Sequence, residues 1–263
     1  RRHGQVGTSR RGCRGRPGRR GSHRPCPPLW LTIAPSNSRL GGSRWIASAG
    51  DGVSRAMLLD SGTSNLLSVQ RALDHVGADV VIADQPSMLD DADRLILPGV
   101  GAFGHCVANL IENGLFDAVL DYARRERPLL GICVGMQMLF DGSEEFGWND
   151  GLGLLPGRVQ PIPMSGADGG RHKIPHIGWA TLERSGPDWA GTFLEGFGRD
   201  RAVYFVHSFS ARPEAVSDIL AFADYDGIQL TAAVRRDNIM GTQFHPEKSG
   251  QAGLGILSRF LAM

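Results

Sequence analysis

Leu130-Gly131-Ile132-Cys133-Val134-Gly135-Met136-Gln137 is an apolar run that meets a cysteine between two glycine steps and continues into helix-forming residues. The run reads as a buried strand over Leu129 to Ile132, ending on Cys133, with a helix after it. A nucleophile at such a strand-to-helix turn stands out above the sheet, and flanking glycines relieve the crowding of the turn. N–H groups at the start of the next helix would face the sulfur and favour thiolate. A buried structural cysteine fits Gly-x-Cys-x-Gly equally well, so the motif by itself leaves both readings open.

Outward from this turn, short apolar runs alternate with amphipathic segments, the pattern of a parallel sheet covered by helices. Toward the N-terminus, strands are expected at Ala56 to Asp60, Asp79 to Ile82 and Arg94 to Leu97. A helix carrying Leu66, Val69, Leu73 and Val76 would be capped by Thr63 or Ser64 and stopped by Gly77. A helical region with a break near Gly114 runs to about Glu126. Toward the C-terminus the strands become shorter and Gly/Pro-broken: Gly157 to Pro161, Trp179 to Leu182, Val203 to His207, Ile219 to Ala223, Leu230 to Val234 and Ile239 to Phe244. A last helix spans roughly Ala252 to Leu261.

A cysteine nucleophile needs a base and an orienting acid. Phe244-His245-Pro246-Glu247-Lys248 offers both at the end of an expected strand. His245 would take the thiol proton and return it to the leaving group, while Glu247 would fix the ring's tautomer. His-x-Glu alone is a weak signal; paired with the cysteine turn at the same edge of a parallel sheet it becomes strong. A third segment, Leu97-Pro98-Gly99-Val100-Gly101-Ala102-Phe103, follows another strand. Its glycine-rich turn could present N–H groups to an oxyanion beside that of Val134, or could simply need positive φ. Cys106 lies in an expected helix without a glycine turn and reads as a core cysteine. His75, His105, His172, His176 and His207 read as surface or satisfied residues, and no cluster has metal-ligand spacing.

In order and spacing, PGVG, GIC-G-Q and HPE resemble the class I (triad) glutamine amidotransferases over about residues 56 to 263. Within them, D-x-G-x-x-N-L-x-S from Asp60, PHIGW at 175 to 179, YFVHS at 204 to 208 and QFHPEKS at 243 to 249 resemble the glutaminase subunits of imidazole glycerol phosphate synthases. The resemblance implies a flavodoxin-like α/β domain with a mainly parallel central sheet, helices on both faces and no cofactor. It implies hydrolysis of L-glutamine through a thioester on Cys133. The ammonia would pass to a (β/α)₈ cyclase subunit that makes imidazole glycerol phosphate and an aminoimidazole carboxamide ribotide. Carried over, Gly99 and Val100 supply the oxyanion strand, Gln137, Ser208 and Phe209 hold the glutamine's amino-acid end, and Pro175, His176, Trp179 and Lys248 meet the cyclase. The chain departs from the family at Ser61, where an aromatic is common, at Ala180, where Asn is frequent, and at Val134, where Leu is common.

Composition adds a division of the chain. Residues 1 to 55 hold twelve Arg and one acid, Asp51, a net +11, while the remainder carries 16 Lys and Arg against 26 Asp and Glu, a net −10. The basic segment is rich in Gly and Pro and too poor in apolar residues to offset the entropy of ordering it, so disorder is expected. It reads as translated upstream sequence before Met57, with a targeting segment or a nucleic-acid arm as alternatives. The acidic remainder argues against nucleic-acid binding by the folded domain. No apolar run reaches the length of a membrane span. Four cysteines, two of them in the basic segment, offer no disulfide framework and suit a reducing, cytoplasmic setting. A docking subunit without turnover would share the fold, but the full Cys133, His245 and Glu247 set opposes it.

Overall fold

The computed structural model describes residues 55–62, 64–186 and 188–263. The Arg-rich segment up to residue 54, with its expected disorder, and Thr63 lie outside the described residues, while Arg55 opens the first strand. The first half of the chain forms β1 (Arg55–Leu59), α1 (Leu66–His75), β2 (Asp79–Ala83), β3 (Arg94–Gly99), α2 (Phe103–Glu112), α3 (Leu115–Arg124), β4 (Leu129–Cys133) and α4 (Val134–Met138). The second half forms β5 (Phe140–Ser143), β6 (Asn149–Asp150), β7 (Leu155–Pro161), β8 (His176–Thr181), β9 (Glu183–Arg184), β10 (Ala202–His207) and β11 (Phe209–Pro213). It ends with β12 (Ile219–Tyr225), β13 (Ile228–Arg236), β14 (Ile239–Thr242) and α5 (Gly250–Leu261).

The central sheet has the order β2-β1-β3-β4-β14-β13-β12-β9. Its first five strands pair in parallel and the other three antiparallel. β3 and β4 are buried almost along their length, as expected of strands covered on both faces. The connections β1→β2 and β3→β4 run in opposite directions across the sheet. Right-handed crossovers therefore put α1 on one face and α2–α3 on the other; α1 packs with α5, and α2 with α3. The break expected near Gly114 separates α2 from α3, with Gly114 itself in the left-handed conformation.

Three local expectations change. Asn65, not Ser64, holds the N-cap position of α1, and no side chain caps it; the Asn65 carbonyl accepts the Val69 N–H instead. The strand before His245 ends at Thr242, short of the expected Phe244: the Gln243 N–H still bonds the Ala232 carbonyl of β13, but two residues on the His245 N–H has turned to the Tyr204 carbonyl of β10. Strands β5, β6 and β11, unforeseen in the sequence, join β7 in a second sheet of order β11-β7-β5-β6, while β8 and β10 form a two-stranded ribbon. No helix among the described residues is long and apolar enough to cross a membrane.

Candidate active site

The parallel strands bring the three sequence segments to one edge. β3 and β4 are in register with Gly99 opposite Cys133, and β14 lies on the other side of β4. Cys133 sits at φ 56° and ψ −113°, a conformation that side-chain-bearing residues rarely adopt and that costs about 1–3 kcal/mol. The glycines around it are required by close approach. A Cβ on Gly135 would lie 1.8 Å from the Leu97 carbonyl oxygen, and one on Gly131 would lie 2.6 Å from the Met136 nitrogen. Helix α4 has only five residues, so its influence on the sulfur is that of nearby N–H groups rather than a long macrodipole.

His245 Nδ1 lies 2.7 Å from Glu247 Oε1, and both side chains are almost wholly buried. With Nδ1 turned to the carboxylate, the other ring nitrogen is left for Cys133, to which the imidazole is also hydrogen-bonded. Burial alone would push the imidazole pKa down. The hydrogen bonds to Cys133 and Glu247 outweigh it and hold His245 up to about 9. A proton retained on His245 is the counter-charge that a thiolate at Cys133 needs.

A cavity of about 390 Å³ opens over the sulfur, a volume suited to a small metabolite. Its wall includes Val100, Val134, Gln137, Ser208 and Phe209, all singled out from the sequence, together with Pro175 and Lys248. Gly99 is not in the wall; a Cβ there would meet the Gly135 nitrogen at 2.7 Å, so its place is to let β3 lie close under α4. The positive φ in the turn belongs to Gly101 instead. Cys106 is buried, and its thiol donates to the Val100 carbonyl, 3.3 Å away.

Gln137 Nε2 donates to the Phe209 carbonyl and to Gln243 Oε1, both at 3.0 Å. Both N–H groups are then spent, and only Oε1 is left to face a ligand. The Phe209 carbonyl also accepts from His207 Nδ1 at 2.8 Å, so it holds Gln137 and His207 rather than offering itself to a ligand. Burial pushes the His207 pKa down to about 3, despite the raising effect of its bond to Phe209, so His207 stands neutral beside the cavity.

Two residues of the site escaped the sequence reading. Glu145 lies in the cavity wall, with Oε2 accepting the Phe103 N–H at 2.7 Å, and nothing local distinguishes it from Glu144 beside it. Gln243 donates to Cys133 Sγ at 3.8 Å; its place two residues before His245 was the available signal. Among the described residues, no group of three or more His, Cys, Asp or Glu is arranged to hold a metal ion.

Of the residues expected at a partner surface, Pro175 and Lys248 are exposed and Trp179 is 58% exposed, its ring edge-on to Tyr204. His176 is a correction: it is buried, stacked between Phe205 and Tyr225, with Nδ1 3.1 Å from His207 Nε2. Alternation along β8 explains it, since Ile177 and Trp179 share the outward face and His176 must point inward. Ile177, 59% exposed, occupies the place expected of His176.

The glutamine amidotransferase class-I family profile matches residues 57–263. Imidazole glycerol phosphate synthase subunit HisH 1 of Legionella pneumophila (strain Lens) is 45% identical over 211 residues, 80% of this chain and 99% of that protein. The HisH subunit of Syntrophotalea carbinolica is 44% identical over 78% of this chain and 98% of its own length, and that of Geobacter sulfurreducens 42% over 79% and 98%. The fold is shared with a crystal structure of a glutamine amidotransferase (TM-score 0.60, 20% identity, 78% of this chain and 98% of that one) and with a chain of PurLQS from Thermotoga maritima (TM-score 0.59, 20% identity, 80% and 98%). With the family matched over most of its length and relatives 42–45% identical along nearly the whole of theirs, this chain belongs to the class I glutamine amidotransferases, among the HisH subunits of imidazole glycerol phosphate synthase.

Proposed function

We propose that the domain hydrolyses L-glutamine at Cys133 and hands the ammonia to a synthase partner. The observation that carries this reading is Cys133 on its strained turn, hydrogen-bonded to a His245 that Glu247 holds protonated, under a cavity of metabolite size. The thiolate attacks the carboxamide carbon, and charge collects on the carbonyl oxygen. The backbone N–H of Val134 and the Val100–Gly101 turn line the cavity where that oxyanion would lie. His245 gives its proton to the leaving nitrogen, which departs as ammonia; it then takes one from water as the water attacks the γ-glutamyl thioester, and glutamate leaves.

The amino-acid end of glutamine would be read by an acceptor pair. Gln137 has only Oε1 to offer, and Glu145 brings a carboxylate fixed through Phe103; both suit the α-ammonium. Glu145→Gln is expected to raise KM for glutamine about tenfold with a smaller change in kcat, since a charged hydrogen bond contributes about 1.5–3 kcal/mol. Steady-state glutamate release checks it, and an unchanged KM would remove Glu145 from the ammonium site.

The partner in this reading is a cyclase subunit with a (β/α)₈ barrel that covers Ile177, Trp179, Pro175 and Lys248 and turns the ammonia into imidazole glycerol phosphate and the aminoimidazole carboxamide ribotide of histidine biosynthesis. A biosynthetic enzyme of this kind works in the cytoplasm. The test is to mix the full chain, its synthase partner and glutamine, quench in acid, and map adducts by mass spectrometry. A γ-glutamyl group on the Cys133 peptide together with glutamate release is expected. Glutamate released with the adduct on another residue, or no release with the partner bound, would overturn the reading.

A further inference from the structure

We infer that Gln243 is a positioning residue for the nucleophile, presenting an N–H to the Cys133 sulfur and coupling that sulfur to the residue that reads the substrate's amino end. This rests on the glutaminase reading only for its second half. The polarity of the amide chain follows from a backbone carbonyl. The Phe209 oxygen can only accept, so the Gln137 group facing it at 3.0 Å must be Nε2. The second hydrogen of that nitrogen goes to Gln243, 3.0 Å away, which fixes Oε1 of Gln243 on that side. Its Nε2 is thereby turned to Cys133 Sγ. Reversing Gln137 would set two acceptors against each other, and reversing Gln243 would set two donors against each other, in a place largely shut off from water, the more costly arrangement in either case.

Gln243 is held where it can do this. It has no exposed surface, its backbone N–H is tied to the Ala232 carbonyl, and it lies two residues from His245. The sulfur therefore has two donors, one charged from His245 and one neutral from Gln243. A neutral donor favours the anionic sulfur without adding a charge that the imidazolium would oppose. A thiol without such neighbours would be mostly protonated at neutral pH.

The experiment measures iodoacetamide alkylation of Cys133 in the full chain, read on its own peptide by mass spectrometry between pH 7 and pH 10, without glutamine. Gln243→Glu keeps the size and the acceptor for Gln137 but removes the donor, and Gln243→Met removes both. At pH 7 both are expected to alkylate about tenfold more slowly than the unsubstituted protein, the gap closing toward pH 10, where thiolate forms unaided. Gln137→Met, which removes the bond that orients the Gln243 amide but keeps its N–H, should slow alkylation less than Gln243→Met does. Equal rates in Gln243→Glu and the unsubstituted protein would overturn the proposal, as would a deficit of the same size at every pH, which would mean blocked access. If Gln243→Met fails to melt cooperatively, Gln243→Glu decides alone. Because no turnover is needed, a protein that released no glutamate would sink the glutaminase reading and leave this result standing.

Discussion

Cys133→Ala is expected to lower glutamate release by ~10⁴-fold or more, leaving what the oxyanion turn and binding can do with water alone. His245→Ala should fall as far and the double variant hardly further, because the thiol and its base act as one unit. Glutamate release with the synthase partner present measures all three; a Cys133→Ala protein retaining a tenth of the activity would exclude the thioester route. The same substitution carries a pH signature. His245 is held up to about 9 in the folded protein, against about 6.5 unfolded, so it keeps a proton that the unfolded chain would lose. The resulting stabilisation is fully present below pH 6.5 and disappears as pH rises through 9. Cys133→Ala removes one of the partners that raise the imidazole, so its melting temperature should fall less between pH 6.5 and 9 than that of the unsubstituted protein. Denaturation followed across that window checks the sign, and a steeper fall in Cys133→Ala would contradict it.

Gly135→Ala should be the most damaging single methyl in the domain. The added carbon would stand 1.8 Å from the Leu97 oxygen, 2.9 Å from the Leu97 carbonyl carbon and 3.2 Å from that of Pro98. All three atoms are β3 backbone, so no rotamer change relieves the clash, and β3 and α4 must separate. Overpacking of this kind costs about 3 kcal/mol or more. For a domain of this size that is about 6–12 °C in Tm. Glutamate release should also vanish in whatever remains folded, since the same displacement moves the Cys133 turn and the Val100 turn apart. Circular dichroism melting beside glutamate release checks both, and a melting point within about 2 °C of the unsubstituted protein would show that the two elements can part without cost.

These two residues show how much of the site the sequence carried. Cys133 was recognisable because its glycines are dictated locally, by a turn that leaves no room for side chains on either side. His245 and Glu247 were recognisable because two residues and a proline suffice to bring ring and carboxylate together. Val134 followed as the neighbour of the nucleophile, whereas Val100 and Gln137 came from the family resemblance. Gly99 was placed correctly in the chain but not in the chemistry: a glycine forced by the underside of α4 looks, in sequence, like one forced by a turn. Glu145 was not legible, because it becomes a wall of the cavity only through its bond to Phe103, more than forty positions away in the chain.

What the sequence determined by itself is the parallel half of the sheet and the cysteine turn. Apolar runs such as Leu95 to Leu97 and Leu129 to Ile132 can be satisfied only by burial on both faces, and right-handed crossovers then fix the helices. Only the tertiary structure decided the second sheet of β5, β6, β7 and β11, the inward turn of His176, and the amide chain from Phe209 through Gln137 and Gln243 to the sulfur of Cys133. Short strands at sheet edges and buried amides carry little local preference; their partners are supplied by segments far away in the chain, and their directions are set only when those segments meet.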